Sequence, residues 1–107
     1  MTPGPSETER QSLLHALGAR VLAAIAQERH YPRQALRRRV EGTVTLEVTI
    51  DRSGGLMNLS VRRSSGQRIL DDAASNAARA VHRFPQAPDE LPGGPFTFAI
   101  PVRFAIR

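Results

Sequence analysis

The side chains most able to do chemistry are few and poorly placed for it. His15, His30 and His82 are scattered, with no HxH, HExxH or Cys/His spacing and no cysteine anywhere. Metal sites draw on such short-range pairs because one helical turn must bring two donors to one ion. No metal is expected here. Asp71 and Asp72 are adjacent, and neighbours in a helix diverge by roughly 100°, so they cannot converge as an acid–base pair. Ser64 and Ser65 have no evident base. Helix capping explains at least one of them, and with Gly66 they form at most a weak anion-binding turn. Arg37-Arg38-Arg39 could meet phosphate, but exposed aromatics for base stacking are missing around it. A solvated helix face fits it better, or a contact with acidic groups on a protein partner. No enzyme, no cofactor and no nucleic-acid partner is expected.

Recognition by backbone is the stronger signal. The chain ends in FTFAIPVRFAIR. Phe96, Phe98, Ile100, Val102, Phe104 and Ile106 alternate with smaller or polar residues, which marks a half-buried strand. Pro101 sits in its middle and cannot donate a ladder hydrogen bond, so the strand belongs on a sheet edge. If Ile100, Val102 and Phe104 bond the neighbouring strand, then Ala99, Pro101, Arg103 and Ala105 turn their backbone groups outward. Such an edge can accept a partner's strand, and Pro101 can also blunt it against indiscriminate pairing. A strand-paired or swapped homodimer is a third use of the same edge.

The elements that must hold this strand can be read in order. Ser6 followed by Glu9 fits a capping box, and Leu13, Leu14, Leu17, Val21, Leu22 and Ile25 form one apolar helical stripe. Pro32 stops that helix near His30 and opens a short second helix over 33–39. Val44, Leu46, Val48 and Ile50 alternate along a strand over 42–51. Arg52-Ser53-Gly54-Gly55 turns the chain. A return strand over 56–63 carries Met57, Leu59 and Val61 on one face. A helix over 67–83 buries Leu70, Ala73, Ala74, Ala77, Val81 and Phe84, and a Pro/Gly-rich loop leads into the last strand. The spacing predicts an α+β fold: a three-stranded antiparallel sheet of split βαβ type, helices on one face, plus an extra N-terminal helix. The last strand then lies on an edge, as Pro101 requires. Residues 1–10 read as a disordered linker end and 11–107 as one domain, with 11–30 an accessory helix and 31–107 the core.

At 107 residues the chain suits one domain. Its formal charge is +5, and all fifteen basic residues are arginine. No run approaches the ~20 apolar residues of a membrane span, and no signal peptide is visible.

An ordered set of short motifs is similar to the C-terminal domain of TonB, the energy transducer of Gram-negative bacteria. It comprises Tyr31-Pro32, Ala35-Leu36, Glu41-Gly42-Thr43-Val44, Ile50-Asp51, Gly55, Val61 and Ser64-Ser65-Gly66. It continues through Leu70-Asp71, Ala73-Ala74, Phe84-Pro85 and Pro101-Val102-Arg103-Phe104. The resemblance implies the split three-stranded fold and a periplasmic domain of an inner-membrane-anchored protein. It implies binding of the TonB box of outer-membrane transporters for siderophores, haem or cobalamin. The work would come from a proton-driven inner-membrane complex of the ExbB/ExbD kind, reached through a segment outside this chain. The box pairs with the family's last strand, which maps to Ala99, Ile100, Pro101, Val102, Arg103, Phe104 and Ala105. The segment before Tyr-Pro lies near the box and maps to Glu28, Arg29 and His30, where the family often has Gln-Pro-Gln. The helix before Tyr31 is a second departure. The TolA C-terminal domain, a cell-envelope interaction module, resembles this fold and does carry a preceding helix, which makes it the close alternative. An Arg-rich nucleic-acid-binding domain is a distant one. Arg33, Arg37 to Arg39 and Arg103 could steer an acidic partner, in which case affinity falls with salt.

Overall fold

The computed structural model describes residues 4–106. Its elements are α1 (Glu7–Glu28), α2 (Arg33–Arg37), β1 (Gly42–Ile50), β2 (Leu56–Arg63), α3 (Arg68–Ala80) and β3 (Phe96–Phe104). The sheet order is β2-β1-β3, antiparallel throughout, so the last strand does lie on an edge. No described helix is long and apolar enough to cross a membrane.

Helix α1 begins inside the stretch expected to be linker. Ser6 Oγ accepts the Glu9 N–H, and its hydroxyl donates to the Glu9 carboxylate, both at 3.1 Å. That satisfies an orphan donor of the first turn, so residues 7–10 are helical rather than linker. Residues 1–3 lie outside the described part. The helix then buries Leu17, Val21 and Ile25. Gly18 is there for close approach: a Cβ would stand 3.1 Å from the Phe98 ring of β3.

Helix α2 ends at Arg37, two residues before its expected limit. The Arg39 N–H bonds Leu36 O at 3.1 Å and the Val40 N–H bonds Ala35 O at 2.9 Å. This is a Schellman closure, with Arg39 at φ 55° where glycine is usual. It turns the chain into β1, the central strand, whose Val44, Leu46, Val48 and Ile50 are all fully buried. Burying each such side chain contributes about 1.5–3 kcal/mol.

The hairpin turn is tied to the Pro-rich loop. Asp51 accepts from the Ser53 N–H, the Ser53 hydroxyl and the Gly55 N–H, and these bonds, the Ser53 hydroxyl foremost, hold its carboxyl below the usual range. Gly54 has φ +93°, and a Cβ there would stand 2.1 Å from Phe84 O, so no other residue fits. The Phe84 N–H bonds Gly54 O at 3.1 Å, and the Arg52 guanidinium donates to Leu91 O and Gly93 O. These ties explain why α3 stops at Ala80 instead of 83. The chain must leave the helix to insert Phe84, 3% exposed, beneath the turn.

Strand β2 departs from its expected face. Bulges interrupt its pairing with β1 near Arg62 and Met57. Leu56, Leu59 and Val61 therefore stand opposite Ile50, Val48 and Leu46, with Met57 as an extra residue. Because one residue is inserted, Met57 drops out of the period-2 pattern. Even the shared face is poorly covered: Leu56 and Val61 are about two-fifths exposed.

Candidate partner-binding edge

Strand β3 pairs with β1 without interruption from Phe96 opposite Ile50 to Phe104 opposite Gly42. The side of β3 that faces outward follows from three bonds. The Asp51 N–H bonds Gly55 O, on the hairpin side. Backbone direction alternates along a strand, so the even residues of β1 turn toward β3. Their partners 96, 98, 100, 102 and 104 must then turn toward β1. Past the strand end, the Ile106 N–H still turns inward, to Glu41 Oε1 at 3.1 Å. In the opposite direction, Arg103 O accepts from Arg29 Nη1 at 2.6 Å. Thr97, Ala99, Pro101 and Arg103 therefore present their backbone groups to the open edge. Pro101 breaks no ladder bond, because its missing donor would have pointed out of the sheet. Thr49 and Thr97 fit the same alternation: their hydroxyls meet at 2.8 Å, as expected where opposed residues come closest.

Helix α1 forms a wall beside this edge. Leu14, Gly18 and Leu22 flank Phe98 to Pro101 in one groove. Leu22, Ala26 and Arg29 face Pro101 to Ile106 in a second, of about 650 Å³. Leu14, Gly18, Leu22 and Ala26 are spaced four apart, one stripe over from the buried residues, so α1 runs alongside β3 in the same direction. At its end Arg29 lies 5.3 Å over the Phe104 ring. Tyr31 meets the same ring edge-on at 5.4 Å, and its hydroxyl donates to Val40 O. Burial first, and then the Glu41 charge, raise the Tyr31 phenol above its ordinary pKa.

The structure sorts the expected site residues. Ala99, Pro101 and Arg103 are exposed on the edge, whereas Ile100, Val102 and Phe104 spend their side chains in the core. Ala105 is exposed just beyond the strand. Of the three residues before Tyr31, Arg29 alone reaches β3. Glu28 and His30 line a separate groove with Ala73, Asn76 and Ala77 of α3. Two features escaped the sequence reading. Thr97 extends the open edge, which strict alternation could have signalled. The groove wall of α1 had only a four-residue spacing to announce it.

The other polar residues are occupied structurally. Neither Ser64 nor Ser65 caps α3, whose N-cap is Gln67. The Ser64 and Ser65 hydroxyls and the Ser65 N–H instead donate to Asp71. Burial pushes the Asp71 carboxyl up, but these three bonds outweigh it and hold the pKa below the ordinary value. Asp72 lies outside this cluster, 3.9 Å from Arg68 on the exposed face of α3. The turn thus already contains its own anion. His15, His30 and His82 are exposed, as are Arg37, Arg38 and Arg39.

Residues 27–106 match the model of the Gram-negative bacterial TonB protein C-terminal family. The chain belongs to this family. TonB of Haemophilus ducreyi is 39% identical over 77 residues, covering 72% of this chain and 26% of that protein. TonB of Helicobacter pylori strain J99 is 32% identical over 89 residues, covering 82% and 30%. The chain thus spans between a quarter and a third of the length of these relatives. A solution structure of the H. pylori TonB C-terminal domain superposes with a TM-score of 0.73 at 25% identity, covering 98% of both chains. That coverage takes in α1, so the helix that had suggested a TolA-like alternative has a counterpart in a TonB domain. The HasB C-terminal domain shares the fold, with a TM-score of 0.55 at 23% identity over 83% of this chain and 69% of that one. TonB-family membership also agrees with a non-enzymatic role.

Proposed function

We propose that this domain is the periplasmic receiving end of a TonB-type transducer. It would bind the TonB box of an outer-membrane transporter for siderophores, haem or cobalamin by adding the box as a fourth strand on β3. The work would come from a proton-driven inner-membrane complex of the ExbB/ExbD kind. The observation that carries this is the unbroken register of β3 with its outward groups. Among the described residues, only the Arg103 carbonyl of that row has a hydrogen-bond partner. Unpaired edge groups are a template for an extended chain. Each backbone bond contributes only about 0.5–1.5 kcal/mol net, so a short added strand binds modestly and releases readily. Ala99, Pro101 and Arg103, with Thr97, serve through backbone atoms. Arg29 is the one residue of the preceding segment placed to touch the ligand.

Titration of labelled domain with a TonB-box peptide, followed by backbone amide shifts, tests this. Shifts concentrated over residues 97–105 are expected. Saturating peptide with no shift on β3 would rule the reading out. Concentration-dependent broadening of β3 amides without peptide would point to pairing between two copies of the chain.

A further inference from the structure

The Arg29 guanidinium occupies a carbonyl that an added strand would use. The outward acceptors along β3 are the carbonyls of Thr97, Ala99, Pro101 and Arg103. The outward donors are the N–H groups of Thr97, Ala99 and Arg103, since Pro101 has none. Arg29 Nη1, 2.6 Å from Arg103 O, closes the row one step early. A neutral strand must then stop short of the Arg103 carbonyl, or take that carbonyl and leave the Arg29 guanidinium without an acceptor.

Resting on strand addition to β3, we propose that Arg29 is a removable cap on this edge. The partner that fits is an extended peptide with an Asp or Glu level with Arg103, whose carboxylate draws Arg29 off the carbonyl. The surroundings favour that exchange. The groove beside the cap is lined in part by Leu22, Ala26, Arg29 and Arg103, and among the described residues no carboxylate lines it. Glu28 faces the α3 groove instead, and Glu41 is engaged by the Ile106 N–H. Among the described residues the charges lining this groove are therefore both positive, with about 650 Å³ of room for an incoming side chain, while Glu41 lies in the adjoining groove beyond Arg103. The bond to the carbonyl has one ionised partner, whereas a guanidinium–carboxylate pair has two and can form two parallel bonds. Once released, Arg103 O accepts an N–H from the partner. The swap therefore replaces one neutral acceptor by a charged one and adds a ladder bond. Arg29 stays tethered by its face on Phe104, which keeps it close to the groove in either position.

The test uses synthetic heptapeptides with Val and Thr alternating, one Asp scanned along the length, and an Asn counterpart of each. Affinities and β3 amide shifts are measured with wild type, Arg29→Ala and Arg29→Gln. At one scan position the wild type should favour Asp over Asn by about tenfold, the worth of one charge-assisted bond. Both variants should lose that preference, and Arg29→Ala should bind the Asn peptide at least as tightly as wild type does. The second variant retains a neutral donor and guards against misfolding of the first. An equal loss for Asp and Asn peptides in the variants would make Arg29 merely structural and overturn the cap. So would an Asp preference that survives in both variants. Shifts on β3 with no Asp preference in wild type would overturn the cap while leaving strand addition standing. No shift on β3 with any peptide would remove both.

Discussion

The two free edges of the sheet differ in almost every respect that governs strand pairing. β3 runs nine residues in unbroken register, and its apolar side chains are buried apart from the half-buried Phe98. β2 is broken by two bulges, carries Arg62 and Arg63 at its end, and leaves Leu56, Met57 and Val61 exposed. By greasiness alone β2 is the stickier edge. By geometry only β3 is a template, because bulges and charges disrupt the even ladder an incoming strand needs. A sheet can thus keep one edge for use and spoil the other, with apolar exposure a poor guide to which is which.

The largest expected effect contrasts the side chains behind the two edges. Phe104→Ala removes a buried ring touched by both Arg29 and Tyr31, and should lower unfolding free energy by about 3–5 kcal/mol. Val61→Ala on β2 should change it by less than about 1 kcal/mol; urea melts of the pair decide. Comparable losses would mean that β2 is as integral as β3. Next, Ala99→Pro deletes an outward donor of β3 and should weaken TonB-box peptide binding about tenfold, one lost ladder bond plus crowding by the ring. The folded amide spectrum should survive, because no internal bond is cut. Met57→Glu and Val61→Glu should leave that affinity unchanged, and a loss there would move the site to β2.

A smaller effect should leave both edges alone. Arg39→Gly relieves a left-handed non-glycine residue in the Schellman turn ahead of β1. A gain of about 0.5–1 kcal/mol is expected, with peptide affinity constant. The smallest effect is acid sensitivity. Asp51 and Asp71, both flanking β2, have depressed folded pKa values. A carboxylate whose pKa is lower folded than unfolded stabilises the fold fully above its unfolded value. That contribution is lost as pH falls from about 4, the free Asp value, through the folded value. Amide protection of β2 should therefore decline before that of β3 as pH drops from 5 toward 2.5. Asp71→Asn should flatten that decline, and simultaneous loss at both edges would contradict the assignment.

Local chemistry made the sheet legible from sequence. Alternation located all three strands, and Pro101 placed the last one on an edge. Crossover handedness then put β1 in the centre. What stayed hidden depends on distant partners. The spacing around Met57 looks like ordinary alternation until a bulge removes it. Ser64 and Ser65 look like caps until Asp71 claims them from six and seven residues away. The early end of α3 answers to the bond between Phe84 and Gly54, thirty residues apart. Of the site, the outward half of β3 was readable from parity alone. The bond from Arg29 to a carbonyl 74 residues on could not be read, since neither residue's type announces the other.

The parallel course of α1 and β3 sets how tension would travel. A pull entering at the N-terminal end of α1 is handed to β3 sideways, through Gly18 against Phe98 and Arg29 against Phe104. A strand lying along β3 and drawn the other way is loaded lengthwise, so its bonds are sheared together rather than peeled singly. β2, α3 and the Pro-rich loop sit off that line, and the stretch of the molecule under strain is reduced to one helix laid against one strand.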